Sequence, residues 1–320
     1  MRVAEGWGTA DASPSPSAPN TNRRTAGVLL ALAAATAFAF KAIFVKLAFA
    51  EGLDAIGFLT LRMLVAAPFF VTLLGWRGGA WPTRRELAAL TVLGLAGFYV
   101  AAVLDFSGLA YLSAGLERIV LYTHPTFIVL FAAARDRTAP SLRGLAAIGV
   151  AWCGLLLAAS GDLAQGAALD DLRTGVLLVG GSSLAYAAYL LGVEGLGQRL
   201  GATRVAAMGN LVGTVAIAAH GFSVHPNLLA EISPRVAGLA LVVGTVSTVL
   251  PGLLLAAAIS RIGPGAASTL GMIGPVLAGL LGFLLLGEPL TAAQLVGGLI
   301  VGAGVSLARP ETQASGGRVG

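Results

Sequence analysis

Charged side chains are scarce in this sequence. Only 11% of the 320 residues are Asp, Glu, Lys or Arg, whereas 57% are hydrophobic. Soluble globular domains carry roughly 25% charged residues. The few charges here cannot cover a surface that faces water, so the composition excludes a soluble globular protein. The mean hydropathy of +0.86 indicates that the solvent of this chain is lipid.

Cysteine and histidine are also rare, which excludes several kinds of chemistry. The single cysteine, Cys153, cannot form an internal disulfide, and three histidines without a cysteine cluster suggest no metal site. The sequence holds no G-x-x-x-x-G-K loop for ATP. A weak G-x-S pattern occurs at residues 181–183, but the nearest downstream histidine, His220, lies near the far end of the next predicted helix. We therefore predict no enzyme activity, no catalytic residues, no cofactor and no metal.

The excess of basic residues does not indicate a nucleic-acid partner. The net charge is +5 and the isoelectric point is about 9.9, but the basic side chains stand singly or in twos and threes between apolar stretches. A nucleic-acid surface would collect them on one element with aromatic residues between them. The observed pattern is the one that the positive-inside rule describes for membrane proteins.

Long apolar runs predict about ten transmembrane helices. A spanning helix needs about 20 apolar residues. The runs are continuous rather than alternating, which favours helices over barrel strands. The predicted spans are 27–49, 55–75, 87–107, 113–134, 143–161, 174–194, 203–222, 235–258, 264–286 and 292–308. The predicted fold class is therefore an all-α polytopic membrane protein.

The two ends of the chain differ from the rest. Residues 1–24 and 309–320 are predicted to be disordered tails. The segment 11–22, for example, is rich in Ser, Pro, Ala and Asn and cannot bury a core. A signal peptide is an alternative at the start, since two arginines precede an apolar run with an Ala-x-Ala pattern at residues 37–39. We favour a spanning helix, because the run continues to Phe49.

Lysine and arginine are distributed unequally between the two sides of the predicted membrane. With the N-terminus inside, fourteen of them fall in inside segments, and three fall in outside segments, namely Lys46, Arg173 and Arg235. A bias of this kind sets the orientation of a membrane protein. We therefore predict a multi-pass protein of the bacterial inner (plasma) membrane with both termini in the cytoplasm.

The sequence repeats itself after about 150 residues. At this shift the stretch Tyr111–Pro125 falls on Arg261–Pro275 without gaps. Residues 25–161 and 174–308 are therefore predicted to be two copies of a five-helix unit. Because five is odd, the second copy enters the membrane from the opposite side. Inverted repeats of this kind are a recurrent architecture of alternating-access carriers.

These features resemble the EamA transporters of the drug/metabolite transporter superfamily over about residues 26–308. The resemblance is carried by Tyr111–Pro125 in the fourth predicted helix, by Gly263–Pro275 in the ninth, and by the GEPLT sequence Gly287–Thr291. The first copy departs from the pattern at Arg137–Ser141, where its closing Gly-Glu-Pro would stand. The resemblance implies ten helices, a cavity between the copies, peripheral fifth and tenth helices, cytoplasmic termini and export of amino acids or other metabolites.

Five ionisable side chains lie inside the predicted helices of the first copy: Lys41, Arg62, Asp105, Glu117 and Arg118. Helical rise from the loop charges, at about 1.5 Å per residue, places all five in the outer half of the membrane. A charged side chain within the membrane costs free energy unless it is paired with an opposite charge or hydrated. Such side chains therefore mark functional sites by default. We predict a substrate-binding vestibule in which Lys41 or Arg62 meets a carboxylate or other anion. Asp105 or Glu117 would take an amino group or a proton.

A structural explanation of the same charges stays open at this point. Arg118 and Asp105 would then extend to the lipid headgroups. Arg62 would pair internally with Glu117. Under this alternative the charges would hold the helices together and would not meet a solute.

The second copy carries no charge at the equivalent positions. Lys41 maps to Tyr189, and Arg62 maps to Asn210. The predicted site is therefore asymmetric inside a symmetric scaffold. The second copy is predicted to add hydrogen bonds and aromatic surface to the substrate site through Tyr186, Tyr189 and Asn210.

Three further residues mark the middle of the predicted fourth and ninth helices. His124 is a candidate for proton coupling, together with Asp105, because histidine titrates near neutrality. A satisfied core histidine is the alternative. Pro125 and Pro275 are predicted to break their helices at equivalent points and to free one backbone carbonyl each. Structural kinking alone is the alternative for the prolines.

The predicted function is secondary transport of a small metabolite by alternating access, with export of an amino acid or a related small polar or anionic solute. Two alternatives remain: a flippase for a lipid-linked substrate from the same superfamily, and a membrane scaffold that transports nothing. The expected partners are a small-molecule substrate and the lipid bilayer. A solute or proton gradient would drive transport, since no ATP-binding loop is present. No oligomeric state is assigned.

Overall fold

The structure is a computed structural model that describes residues 21–76 and 81–307. These residues form helices and short connections, without a strand among them. The all-α membrane fold that the composition predicts is therefore confirmed. The predicted tails 1–24 and 309–320 lie outside the described residues, except for residues 21–24, which are helical.

Ten helical spans follow one another along the described chain. Their bounds are α1 Thr21–Ala50, α2 Ala55–Trp76, α3 Arg84–Leu109, α4 Ala114–Asp136, α5 Leu142–Ala164, α6 Leu169–Leu200, α7 Ala202–Val224, α8 234–262, α9 264–286 and α10 Ala292–Leu307. A four-residue helix, Leu228–Glu231, precedes α8. Among the described residues, eight helical segments are long and apolar enough to cross a membrane. The two shorter apolar helices Gly274–Leu286 and Ala292–Leu307 follow them.

A sharp turn at Gly263 separates α8 from α9. The helical stretch Leu250–Gly271 contains one residue with non-helical backbone angles, Gly263, whose φ is 78° and whose ψ is 161°. Glycine adopts a positive φ without steric cost because it has no Cβ atom. Pro264 follows at the start of α9, where a missing N–H is tolerated. The chain therefore changes direction here, and α9 begins.

The internal repeat is visible in the irregularities of the backbone. A π-helical turn, Leu95–Val100, interrupts α3, and another, Thr245–Val249, interrupts α8 at positions 150 residues later. The break in α4 at residues 122–123 has its counterpart at residues 272–273 of α9, again 150 residues later. Two kinds of irregularity thus recur at the shift at which the sequence aligns with itself. The prediction of two five-helix copies is confirmed.

The two copies are inverted because each contains five spans. We call the side of the membrane where α1 begins the N-terminal face, and the other side the opposite face. The connections α2–α3, α4–α5, α6–α7 and α8–α9 lie at the N-terminal face. Helix packing follows the same symmetry: α1 packs against α8 and α9 of the other copy, and α6 packs against α3 and α4.

Helices α5 and α10 pack against each other at the side of the bundle. Their backbones approach at Gly154 and Gly297, where a Cβ added to Gly297 would lie 2.5 Å from the carbonyl oxygen of Gly154. Small residues allow membrane helices to come this close. Among the described residues of these two helices, one, Val305, lines the cavity between the copies. The pair is therefore peripheral to the cavity.

Candidate functional site

A cavity of about 1140 Å³ lies between the two copies. Helices α1 to α4 of the first copy and α6 to α9 of the second supply its walls. Most of the lining is apolar or aromatic, with Phe38, Phe98 and Phe106 among the larger side chains. Apolar walls with a few polar groups are typical of sites for small molecules.

The cavity opens towards the N-terminal face. Gly197, Gln198 and Thr203, at the connection of α6 to α7 on that face, belong to its lining. The five connections at the opposite face all fall within the described residues, and they contribute no lining residue. Among the described residues, the lining of the cavity therefore reaches the N-terminal face and not the connections of the opposite face.

Lys41 lies between two carboxylates in the wall of the cavity. Its Nζ is 2.5 Å from Asp105 Oδ2 and 2.9 Å from Glu117 Oε1. Lys41 comes from α1, Asp105 from α3 and Glu117 from α4, so the three charges join three helices of the first copy. All three side chains are buried, and Glu117 has no exposed surface. Pairing of this kind is what allows ionised groups to persist within a membrane.

Arg118 completes this cluster. Its Nε lies 3.9 Å from Glu117 Oε2, and its Nη2 donates a hydrogen bond of 2.5 Å to the carbonyl oxygen of Phe38. Lys41 and Arg118 together balance the formal charges of Asp105 and Glu117. Arg118 and Asp105 are both buried, so the alternative in which they extend to the lipid headgroups is wrong.

Arg62 stands apart from the balanced cluster although it lines the same cavity. Its guanidinium carbon lies 4.8 Å from the centroid of the Phe106 ring, and its Nη2 donates to the weak acceptor Met63 Sδ at 3.3 Å. Its Nε is buried without a hydrogen-bond partner. Within the described part of the chain, no carboxylate lies within 4.0 Å of it. The alternative in which Arg62 pairs with Glu117 is therefore wrong, and Arg62 is a surplus cation.

Asp105 offers a second unmet group in the cavity wall. Its Oδ2 contacts Lys41, but its Oδ1 is buried and has no hydrogen-bond partner. An unsatisfied buried polar group costs about 1–3 kcal/mol, and a solute that supplies the partner recovers this energy. Arg62 and Asp105 together suit a solute that carries an acceptor for the one and a donor for the other.

Prolines begin the second piece of each broken helix. Pro125 in α4 and Pro275 in α9 both lie in the first turn, where their missing N–H is tolerated. The breaks themselves lie just before the prolines, at residues 122–123 and 272–273. Pro125 lines the cavity, whereas Pro275 is buried outside the lining.

Side chains cap the carbonyls at the two breaks. The carbonyl oxygen of Leu121 accepts a hydrogen bond of 2.9 Å from His124 Nδ1, and that of Gly271 accepts one of 2.5 Å from the Tyr122 hydroxyl. The second bond joins α4 of the first copy to α9 of the second. Because a carbonyl only accepts, His124 Nδ1 carries a proton, and Nε2 is the acceptor of the neutral ring.

Helices α6 and α7 supply the aromatic and amide part of the wall. The rings of Tyr186 and Tyr189 stack with centroids 5.9 Å apart, Tyr186 meets His124 edge-on at 5.7 Å, and Tyr189 meets Phe98 edge-on at 4.8 Å. Asn210 also lines the cavity, but its Nδ2 donates to the backbone carbonyl four residues earlier in α7. The second copy thus contributes a packed aromatic surface and the side-chain amide of Asn210, whose nitrogen is already hydrogen-bonded to the backbone.

The structure brings most of the residues singled out in the sequence to one cavity. The lining includes Lys41, Arg62, Asp105, Arg118, His124, Pro125, Tyr186, Tyr189 and Asn210. Glu117 and Pro275 do not line it. Phe106, against which Arg62 packs, was not singled out, and no sequence pattern distinguishes it from the other phenylalanines.

Sequence reasoning also missed a set of polar contacts near the opposite face. Lys46, which the orientation count places outside the membrane, forms an ion pair with Glu288. Asp162 accepts hydrogen bonds from Ser113 Oγ, at 2.9 Å, and from Gln294 Nε2. Glu288 belongs to the GEPLT motif, but nothing in the sequence predicts that it pairs with Lys46, which lies in the other copy.

Known proteins with similar sequences support the fold. The sequence matches the EamA-like transporter family over residues 25–160 and 173–309. The Bacillus subtilis (strain 168) protein "Uncharacterized transporter YcbK" is 32% identical over 279 residues, which cover 85% of this chain and 89% of that protein. A solved structure described as "Crystal structure of protein" is 18% identical. It has a TM-score of 0.55 and covers 89% of this chain and 96% of its own, which is a likeness of fold alone.

Proposed function

Because the chain belongs to the EamA-like transporter family, we propose that it is a secondary transporter that exports an amino acid or a related small carboxylate. Membership of the family, together with a relative named as a transporter, makes the chain a multi-pass membrane transporter of a small-molecule substrate. We propose transport, not catalysis, as its whole activity.

The surplus charge of Arg62 is the observation that carries the choice of solute. The formal charges of the other four groups sum to zero, so Arg62 leaves one positive charge in excess at the cavity wall, with no carboxylate among the described residues within 4.0 Å of it. A carboxylate matches the fork of a guanidinium and binds it through two parallel hydrogen bonds. The adjoining Phe106 ring and the apolar walls would receive the rest of the solute.

An amino acid fits two of the unmet groups of the site, Arg62 and Asp105. Its carboxylate would pair with Arg62, and its ammonium group would donate to the unpartnered Oδ1 of Asp105. Tyr186 and Tyr189 would pack against its side chain, and Asn210 would offer its amide oxygen. A carboxylate without an amino group would use the first contact only and would bind less tightly.

The open side of the cavity supports the proposed direction of transport. The cavity opens at the N-terminal face, and the lysine and arginine bias assigns that face to the cytoplasm. A site open to the cytoplasm is ready to load a solute for export from a bacterial plasma membrane. If each copy then adopted the conformation of the other, the site would close to the cytoplasm and open to the outside.

Proton coupling is the driving force that the site supports best. Asp105 has an unmet oxygen and His124 has an acceptor nitrogen, and both residues line the cavity. Either group can take a proton after the solute leaves. No ATP-binding loop is present in the sequence to supply energy in another way.

Metabolite profiling tests the proposed function. Cells that overproduce the chain are expected to enrich one or a few amino acids or small carboxylates in the medium, relative to cells with an empty vector. The enriched solute is then expected to cross the membrane of proteoliposomes that contain the purified chain. Collapse of an imposed proton gradient should slow this flux.

The alternative functions give other outcomes in the same experiment. A flippase for a lipid-linked substrate would enrich no soluble solute and would instead move a labelled lipid between leaflets. A scaffold would move neither. Enrichment of cations alone would contradict the assignment of Arg62 as the solute's partner.

A further inference from the structure

One carboxylate of the second copy holds two helices of the first copy at the opposite face. Glu288, in the connection of α9 to α10, forms an ion pair with Lys46 near the end of α1 through Oε1. Its Oε2 accepts a hydrogen bond of 2.8 Å from the backbone N–H of Ala114, the first residue of α4. The side chains of Lys46 and Glu288 are only 21% and 17% exposed, so water screens this pair less than a surface pair.

This contact lies between the charged site and the opposite face. Lys46 follows the site residue Lys41 by five residues of α1, a rise of roughly 7.5 Å. Helices α1, α4 and α9, which Glu288 joins, all supply walls of the cavity. To open the site to the opposite face these helices would have to separate, and the Lys46–Glu288 pair opposes that separation.

The internal repeat places a related pair at the N-terminal face. Lys46 is equivalent to Glu194 at the shift of 148 that aligns α1 with α6, and Glu288 is equivalent to Thr138 at the shift of 150. Arg135 lies about one helical turn before Thr138. Its Nη1 is 3.7 Å from Glu194 Oε2, with side chains 55% and 68% exposed. The signs of the charges are reversed, and the pair is open to solvent.

We infer that Lys46 and Glu288 form the gate that keeps the opposite face closed, and that Glu194 and Arg135 form its counterpart at the N-terminal face. Glu194 lines the open mouth of the cavity. When the copies exchange conformations, the exposed pair becomes shielded and the shielded pair separates. This inference rests on the alternating access of the proposed function, but it does not depend on the solute or on Arg62.

Cysteine accessibility tests the gate without a solute. The background carries Cys153→Ser, which removes the sole cysteine, and Ala102→Cys, at a half-buried position of α3 that lines the cavity. A membrane-impermeant maleimide is applied to right-side-out and to inverted vesicles. With the gate intact, labelling is expected to be fast from the N-terminal face and slow from the opposite face.

Loss of the gate is expected to speed labelling from the opposite face. Glu288→Gln and Lys46→Met should each raise this rate about fivefold or more, which is the lower end of the usual range for coupled equilibria. The charge swap Lys46→Glu with Glu288→Lys should restore slow labelling in part, because it rebuilds the ion pair, although a lysine cannot accept the hydrogen bond from the Ala114 N–H. Arg173→Gln is the matched control, because it removes an exposed ion pair with Asp170 within α6 at the same face, and it should change nothing.

The counterpart pair should act in the reverse direction. Water screens the Arg135–Glu194 pair while this face is open and would screen it less once the face closes. Glu194→Gln therefore weakens the closed state of the N-terminal face more than the open state, so labelling from the opposite face should become slower than in the background. Arg135 keeps Asp136 as a partner in this variant, with an Nε to Oδ1 distance of 3.0 Å, so folding is not threatened. Unchanged rates in both Glu288→Gln and Lys46→Met, or an equal rise with Arg173→Gln, would overturn the gate. A faster rate with Glu194→Gln would overturn its counterpart.

Discussion

Replacing Arg62 with glutamine is expected to lower export of the profiled solute by at least about tenfold. A hydrogen bond between charged groups contributes about 1.5–3 kcal/mol, and each 1.4 kcal/mol corresponds to about a factor of ten in binding. Among the described residues, the Arg62 guanidinium donates a hydrogen bond to Met63 Sδ and lies over the Phe106 ring. Its removal therefore takes away the solute's partner and leaves no carboxylate unpaired. The measurement is solute flux per amount of protein in the membrane.

The stability of the variant separates binding from folding. Arg62→Gln is expected to unfold in detergent at a temperature no lower than the unchanged chain, because it removes a surplus buried charge. Arg62→Lys keeps the charge but loses the planar fork, and it should recover part of the flux. Full flux in Arg62→Gln would remove Arg62 from the site.

Replacing Lys41 with methionine is expected to have the largest effect on stability. The substitution leaves the carboxylates of Asp105 and Glu117 buried without the ammonium group that both contact. Removing one partner of a buried ion pair typically costs about 3–5 kcal/mol. The measurements are the yield of monodisperse protein in detergent and its midpoint of thermal unfolding, and both should fall sharply.

A neutral triple variant is the matched control for this prediction. Lys41→Met combined with Asp105→Asn and Glu117→Gln removes all three charges together, and it is expected to regain most of the lost stability. A stable Lys41→Met protein that binds no solute would instead make Lys41 a direct partner of the solute. The sequence leaves that choice open, and the two carboxylates around Lys41 favour the structural role.

The fold was predictable because lipid imposes a simple rule on sequence. A spanning helix needs a long apolar run, and α2 at residues 55–76 follows its predicted run to within one residue. The inversion of the copies followed from the odd number of spans in each. The π-helical turns at 95–100 and 245–249 were not predicted, since no apolar pattern marks them.

The pairing of the charges was not predictable in the same way. Helical rise places Lys41, Asp105 and Glu117 in the outer half of the membrane, but it does not say towards which neighbour each side chain turns. Arg62, which the same count makes the deepest charge, lies in the same half of the membrane and yet remains outside the cluster. Rotation of the helices and their neighbours in the bundle decide these contacts, and both arise from packing over the whole chain.

Contacts near the membrane surface were missed for a related reason. The predicted span 27–49 contains Lys46, and counting lysine and arginine assigns this residue to the outside end of the span, but neither step names a partner for it. In the structure Lys46 belongs to α1 and reaches Glu288 of the other copy. The internal repeat gives a partial indication of the contact, because Lys46 and its equivalent residue in the second copy, Glu194, both carry a charge.

The most direct measurement is an experimental structure of the chain with its profiled solute bound. The carboxylate of the solute is expected within ion-pair distance of the Arg62 guanidinium, beside Phe106 and inside the cavity between the copies. A solute bound outside this cavity, or one whose acidic group lies away from Arg62, would contradict the assignment.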